Sequence, residues 1–184
     1  MSFTVKFLKV RDVKDPVRGT EQAAGIDFFV PVYNDDFINA LCKANSTNAA
    51  FDEVNCRNII ANSQVIRLFP GERILIPSGI KTYFEPKDSA LIAANKSGVA
   101  TKKGLRFTAQ VVDSDYTGEI HIGVANDSTR PVDIAAGDKL IQFLHQPVFL
   151  SKLEEFSTKE EFDALHNGST RGEGGFGSTD KNIL

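Results

Sequence analysis

Short apolar runs dominate the chain and predict β-strands. The stretch FTVKFLKV (3–10) alternates apolar and polar residues, as a half-buried strand does. Similar runs, separated by Pro, Gly and Asp turn signals, lie at residues 25–33, 64–69, 73–84, 89–95, 105–112, 118–126, 131–137 and 139–150. Many short strands at fairly regular spacing favour an antiparallel sandwich or barrel over a βαβ fold. We therefore expect an all-β protein.

Residues 34–63 interrupt this pattern and predict an insertion between strands. They are rich in Asn and Ala, and Phe37, Ile38 and Leu41 keep helical spacing after Asp35 and Asp36. A second short helix would begin at Ser46 or Thr47 and carry its apolar residues at Phe51, Val54 and Ile59. The insertion is thus predicted to be partly helical.

A third helix is predicted near the end of the chain, at residues 157–165. The stretch STKEEFDAL contains a capping box, with Ser157 at the N-cap and Glu160 at the third helical position.

Composition excludes several classes of protein. The 184 residues suffice for one domain, and a formal net charge of −3 argues against a protein whose main role is to bind nucleic acid. No apolar run has the length of a membrane span, and the first ten residues lack a signal-peptide pattern. Cys42 and Cys56 fit no metal or disulfide motif, so we expect free thiols in a cytoplasmic protein. The three histidines, His121, His145 and His166, have no metal-ligand spacing.

The tail RGEGGFGSTDKNIL (171–184) contains a G-x-G-x-x-G pattern in the wrong context for a dinucleotide fold. HNGST precedes it where a strand is required, and too few residues follow for a helix. A P-loop is excluded because Ser178 stands where the lysine belongs. Glycine N–H groups, the Arg171 fork and nearby hydroxyls could still surround an anion, and Phe176 could lie on a base. The alternative is a disordered glycine-rich tail.

Five stretches, in order, resemble the five motifs of the trimeric all-β dUTPase family. They are AAGIDFFV (23–30), NKSGVATKKG (95–104), VVDSDYTGEIHIGVANDS (111–128), GDKLIQF (137–143) and RGEGGFGST (171–179). The resemblance excludes the insertion and is looser between residues 144 and 170. It implies a distorted antiparallel barrel or jelly roll of the β-clip type over residues 1–170, and a flexible lid arm over residues 171–184. It also implies hydrolysis of dUTP to dUMP and pyrophosphate, which limits uracil in DNA and supplies dUMP for dTMP synthesis.

The resemblance assigns roles around the base and the reacting phosphate. Asp113 corresponds to the family's water-activating aspartate, a general base at the α-phosphate. Tyr116 resembles the tyrosine that packs under the deoxyribose and excludes a 2′-hydroxyl. The remaining residues expected around base and sugar are Phe107, Thr108, Ala109, Val112 and the stacking Phe176.

The resemblance also implies how the triphosphate is held. The phosphate-binding residues would be Lys96, Ser97, Gly98, Gln142, Arg171, Gly175, Gly177, Ser178 and Thr179. Mg²⁺ would be bound mainly through the substrate triphosphate, with Asp27 acting through water rather than as a direct ligand. A homotrimer is expected, with each C-terminal arm closing over a neighbouring subunit's site.

The sequence departs from the family pattern at a few positions. Lys96 stands in place of an arginine, and Thr108 and Gln110 replace common glycines, which leaves the details of the uracil slot open. Ile141 and Asp180 are smaller departures.

Two other functions remain open from the sequence. A dCTP deaminase of the same fold would use a glutamate such as Glu119, but NKSGV lacks the second serine expected there. A regulatory nucleotide-binding protein would act on a protein partner through the 34–63 insertion.

Overall fold

The fold is built from short strands, as the apolar pattern predicts. A computed structural model describes residues 3–48, 65–170 and 172–174. Its strands are β1 Thr4–Lys9, β2 Val17–Arg18, β3 Gly25–Asp27, β4 Val65–Leu68, β5 Arg73–Pro77, β6 Ile80–Glu85, β7 Ser89–Asn95, β8 Leu105–Phe107, β9 Val111–Val112, β10 His121–Asn126, β11 Val132–Ala135 and β12 Ile141–Pro147. The predicted all-β class is confirmed.

All pairings between these strands are antiparallel. The largest sheet has the order β2-β3-β12-β7-β9, and a second has the order β5-β10-β8. Strand β1 pairs with β6, and β4 pairs with β11. Strand β7 therefore lies between β12 and β9 and carries partners along both of its edges.

Two predicted strands are each divided in the structure. The run 73–84 breaks at Ser78 and Gly79, where Gly79 takes a φ of +74° that separates β5 from β6. The run 105–112 breaks over Thr108–Gln110, which are exposed between β8 and β9. Neither turn was predicted from the sequence, because each run reads as one continuous strand.

The core lies on the inner faces of these sheets. Phe28, directly after β3, and Phe143 of β12 lie with their ring centroids 4.7 Å apart. Ile76, Ile80 and Ile122 are fully buried around them. A core of this size is enough to hold the short strands in register.

The first half of the insertion forms helix α1, Asp35–Ala44, as predicted. The side chain of Asn34 caps the helix by accepting a hydrogen bond from Phe37 N–H at 3.0 Å. The helix buries Phe37, Leu41 and Cys42 in the core, and Cys42 is a free thiol. The predicted second helix and Cys56 lie outside the described residues.

The amide of Asn45, just after α1, is buried against strand β5. Its Nδ2 donates to Leu75 O at 2.8 Å and to Leu41 O at 2.8 Å, while Oδ1 accepts from Leu75 N at 3.0 Å. Asn48 Nδ2 donates to Arg73 O at 2.7 Å. The inserted helix is thus tied to the sheet by side-chain amides.

The chain divides into two compact units, Met1–Phe149 and Leu150–Leu184. The second contains helix α2, Lys159–Leu165, whose start differs from the prediction by one residue. Thr158, not Ser157, is the N-cap, and it accepts from Glu161 N at 3.3 Å, while the Glu161 carboxylate accepts from Ser157 N at 3.0 Å. The capping box therefore uses Glu161 rather than Glu160, because the helix begins one residue later. None of the described helices is long and apolar enough to cross a membrane.

Candidate active site

The ends of three strands of the large sheet bring together several predicted site residues. In the ladder, Asp27 of β3 pairs with Gln142 of β12, and Gln142 pairs with Ala94 of β7. Lys96 follows the last residue of β7, and Lys139 lies two residues before β12. We call Asp27, Lys96, Lys139 and Gln142 the cationic cluster.

Two lysines of the cationic cluster converge on one buried carboxylate. The Asp27 side chain is 5% exposed, and it forms an ion pair with Lys96 Nζ through Oδ1 and with Lys139 Nζ through Oδ2, the second at 3.1 Å. The two lysine side chains are 24% and 39% exposed. Two cations against one anion leave one net positive charge, and both lysine side chains are partly exposed. This end of the sheet is suited to bind an anion.

The side chain of Gln142 is held in place by its neighbours. Its Nε2 donates to Asn95 O at 3.0 Å. The side chain also lies directly over Gly25, where a Cβ would come within 2.0 Å of Gln142 Oε1. Glycine at position 25 therefore provides the space in which Gln142 lies.

Ser97 and Gly98 are exposed at the start of a π-helical turn, Val99–Lys103, that follows β7. Thr101 Oγ1 donates to Ser97 O at 2.6 Å, and Ala100 N donates to Lys96 O at 2.9 Å. These bonds fold the segment back so that it stays beside the cationic cluster. The apolar pattern contains no signal for this turn.

The predicted base slot is the exposed segment between β8 and β9. At its start, Phe107 N donates to the Asn95 side chain at 3.0 Å, and Thr108 N donates to Gly123 O at 3.0 Å. At its end, Gln110 O accepts from Ala93 N at 2.7 Å. Both ends are fixed to the neighbouring strands, while Ala109 between them remains exposed. We call this segment, residues 107–110, the base rim, and its exposed residues can face a planar base.

Asp113 begins a tight turn directly after β9. Its carbonyl accepts from Tyr116 N at 3.2 Å, and its side chain is exposed to solvent. Ser114 Oγ donates to Lys87 O at 2.7 Å, and Lys87 Nζ donates back to Ser114 O at 3.3 Å. The turn therefore presents the Asp113 carboxylate to water on a firmly held backbone.

Tyr116 lies in the same turn, above Gly118. A Cβ on Gly118 would come within 2.4 Å of the tyrosine Cζ, so the ring packs directly on the glycine backbone. Tyr116 Oη donates to Glu119 O at 3.0 Å, and 44% of the residue is exposed. The part of the ring that does not pack on Gly118 is open to solvent.

Asp113 and the cationic cluster lie near different ends of β7. Val112, next to Asp113, pairs with Leu91, whereas Lys96 comes five residues later along the chain. An extended strand rises about 3.3 Å per residue, which separates these points by roughly 16 Å. Within one chain, Asp113 and the cationic cluster thus lie apart, and the base rim extends along β7 between them.

Some predicted residues cannot be placed. Arg171, Gly175, Phe176, Gly177, Ser178 and Thr179 lie outside the described residues, so their roles stay predictions. Within residues 3–48, 65–170 and 172–174, no three His, Cys, Asp or Glu side chains gather as metal ligands. Sequence reasoning missed the part of Lys139, which lies inside the GDKLIQF stretch, and the supports Gly25, Asn95 and Gly118.

The fold and the site define an antiparallel β protein in which two lysines converge on the buried Asp27 and an exposed Asp113 follows the base rim. The dUTPase family model matches residues 36–180. The deoxyuridine 5′-triphosphate nucleotidohydrolase of Heliobacterium modesticaldum is 32% identical over 169 residues, 91% of this chain and 90% of that protein. The chain belongs to the dUTPase family.

Solved structures agree with this at the level of the fold. The dUTPase of Staphylococcus bacteriophage 80α, solved with dUPNHPP, has a TM-score of 0.66 at 18% identity, covering 95% of this chain and 97% of that one. A dUTPase mutant from phage phi11 of S. aureus, described with a structural Mg(II) ion, has a TM-score of 0.59 at 17% identity, covering 85% and 99%.

Proposed function

We propose that this protein hydrolyses dUTP to dUMP and pyrophosphate, which limits uracil in DNA and supplies dUMP for dTMP synthesis. The observation that carries the proposal is the exposed Asp113, held in one turn with Tyr116 at the end of the base rim, in a chain of the dUTPase family. Asp113 acts as the general base. It takes a proton from the water that attacks the α-phosphorus, and pyrophosphate leaves.

Selection of the nucleotide rests on the rim and on Tyr116. The segment from Phe107 to Gln110 is fixed at both ends, so its backbone donors and acceptors can discriminate uracil from cytosine. Tyr116 packs closely on the Gly118 backbone, which supports the ring against a sugar placed on its other face. A 2′-hydroxyl would collide with the ring, which favours deoxyribose.

The cationic cluster, with Ser97 and Gly98, binds the triphosphate. Mg²⁺ suits these residues when it arrives with the substrate, because it keeps several waters and binds chiefly through phosphates. Asp27 would contact the ion through water, since Lys96 and Lys139 occupy its carboxylate. The ion would neutralise phosphate charge.

The active site is assembled between the subunits of a homotrimer. The separation of roughly 16 Å along β7 supports this, because one extended strand carries Asp113 and Lys96 near different ends. One chain would supply Asp113 and the base rim, and a second would supply Lys96 and Gln142. The C-terminal arm would come from a neighbouring chain and close over the site with Phe176 and Arg171. We place the protein in the cytoplasm, which the free thiol of Cys42 supports.

A deaminase role for Glu119 is disfavoured by its contacts. Its carboxylate accepts from Arg11 Nη2 at 2.9 Å and from Gly79 N at 2.7 Å, and the side chain is 13% exposed. A group held in this way cannot activate water at a base. A protein partner of residues 34–63 remains a prediction; on α1, such a partner would contact the outer face, because Phe37, Leu41 and Cys42 are buried.

The direct test compares Asp113→Asn with Asp115→Asn, a matched change two residues along the same turn. With dUTP, dCTP, dTTP and UTP as substrates, we expect rapid release of pyrophosphate from dUTP and at most slow release from the other three. Asp113→Asn should lower kcat by about 10²- to 10⁴-fold and retain dUMP binding. Asp115→Asn should stay near wild type. Ammonia from dCTP, or full activity of Asp113→Asn, would refute the proposal.

Mixed trimers test the assembly. Asp113→Asn and Lys96→Ala subunits, each inactive alone, are unfolded together and refolded as a mixture. If the two residues come from different chains, about a quarter of the sites regain both intact groups, and activity returns in proportion. If both come from one chain, the mixture stays inactive.

A further inference from the structure

The side chain of Arg11 joins three segments that are distant in sequence. Arg11 lies just after β1, and its side chain is 14% exposed. Its Nε donates to Glu119 Oε1 at 3.0 Å, and its Nη2 donates to Glu119 Oε2 at 2.9 Å, which makes a two-pronged ion pair. Its Nη1 donates to Asp36 O at 3.2 Å and also pairs with the Asp36 carboxylate, in the first turn of α1.

Glu119 connects Arg11 to the turn that contains Asp113 and Tyr116. Its carboxylate also accepts from Gly79 N, so the side chain is fixed from two directions. Its backbone carbonyl accepts the Tyr116 hydroxyl at 3.0 Å and is 2.9 Å from His121 Nδ1. The hydroxyl bond and the Gly118 backbone hold an aromatic ring that is otherwise 44% exposed.

We propose that Arg11 is a positioning residue, which fixes Glu119 and thereby holds the Tyr116 ring where it separates deoxyribose from ribose. The inference rests on the proposed function, because it gives Tyr116 a sugar to face. Exclusion of one hydroxyl group is sensitive to displacements on the order of 1 Å, so a ring free to tilt would admit UTP. Asp36 extends the same support to the inserted helix, which links α1 to sugar selection.

The chemistry of the pair makes a conservative substitution informative. Arg11→Lys keeps the charge but replaces the planar fork by a single ammonium group, which cannot hold both carboxylate oxygens. Arg67→Lys is the matched control. Arg67 makes the same two-pronged contact with Asp133, at 2.7 Å and 2.7 Å, on an exposed surface.

The quantity to measure is kcat/KM for dUTP divided by kcat/KM for UTP. We expect Arg11→Lys to lower this ratio about 10- to 100-fold, the usual effect of misplacing a reacting geometry from a distance. Arg67→Lys should leave it unchanged. Tyr116→Phe, which removes the hydroxyl bond to Glu119, should also lower it. In the Tyr116→Phe background Arg11→Lys should add little, because both changes release the same ring.

These measurements can contradict the role proposed for Arg11. An unchanged ratio in Arg11→Lys, or effects that multiply fully in the double variant, would overturn the inference. If Arg11→Lys does not fold, as judged by circular dichroism, Glu119→Gln replaces it, since the amide can still accept from Gly79. If the wild-type protein does not turn over dUTP, the proposed function fails separately. The ratio of dUMP to UMP affinities by calorimetry then tests Arg11 in the same variants.

Discussion

Replacing Asn45 by alanine tests whether the inserted helix is part of the stable fold. The residue is 4% exposed, and its amide makes three hydrogen bonds of 2.8, 2.8 and 3.0 Å. Two of them join the helix end to the backbone of Leu75 in β5. Alanine would leave the Leu75 N–H and C=O without these partners.

The expected loss of unfolding free energy depends on how easily water replaces the Asn45 amide. A cleft of about 400 Å³ lies beside Asn45 and is lined by Asn48, Arg73 and Thr108 among others. Water entering this cleft can meet the freed Leu75 groups, so each lost bond costs about 1 kcal/mol rather than the full desolvation penalty. The three bonds together give a loss of about 3 kcal/mol in the free energy of unfolding. For a chain of this length, this corresponds to a fall of roughly 6–12 °C in Tm.

The assay is urea unfolding followed by circular dichroism at one fixed protein concentration, because assembly adds to apparent stability. The matched control is Asn48→Ala, three residues after Asn45, which removes an exposed hydrogen bond from the Asn48 amide to Arg73 O. We expect it to cost about 1 kcal/mol or less. A loss below about 0.5 kcal/mol for Asn45→Ala, or equal losses in the two variants, would refute the account of α1 as a helix tied to β5.

Two further predictions concern the cationic cluster and acid stability. Gly25→Ala should displace Gln142 and raise KM for dUTP about tenfold or more, since a Cβ would meet Gln142 Oε1 at 2.0 Å. The pKa of His145 is lowered by burial and then by the charge of Arg18. As the pH is lowered below the ordinary pKa of 6.5, the unfolded chain therefore takes up the proton before the folded protein does. The free energy of unfolding should decrease as the pH drops from 6.5 to the lowered pKa, and level off below it. His145→Gln should remove that part of the slope.

Both predictions have clear controls. Gly19→Ala is the match for Gly25→Ala, because a Cβ at Gly19 meets nothing within 4 Å. Equal KM values for the two variants would contradict the role given to Gly25. For His145, the free energy of unfolding is compared between about pH 7.5 and about pH 5.5. An identical slope in wild type and His145→Gln would show that this ring does not contribute.

Local patterns in the sequence predicted the parts of the fold that local physics controls. Strands β1 and β7 follow their apolar runs closely, and α1 follows the spacing of Phe37 and Leu41. The ends of strands and the breaks between them were harder to predict. Strand β2 has two residues, too few for any period, and the turn at Gly79 is hidden between two apolar runs.

The candidate site likewise has a local part that the sequence predicts and a long-range part that it does not. Asp113 and Tyr116 lie in one turn, so their proximity follows from four residues of sequence. The pairing of Asp27 with Lys96 joins residues far apart in the chain, and only the register of β3, β12 and β7 brings them together. The Arg11–Glu119 pair spans 108 residues and has no sequence pattern at all.

Helix α1 also has a consequence for how the protein behaves in a crowded solution. Strand β5 ends its sheet, so one side of its backbone faces away from β10 and could pair with a strand of another molecule. Asn45 and Asn48 occupy that side at Leu75 and Arg73, and they present amide groups where a foreign strand would dock. Trimming residues 34–63 to shorten the chain would uncover a sheet edge. The shortened protein should then self-associate into sheet-rich aggregates.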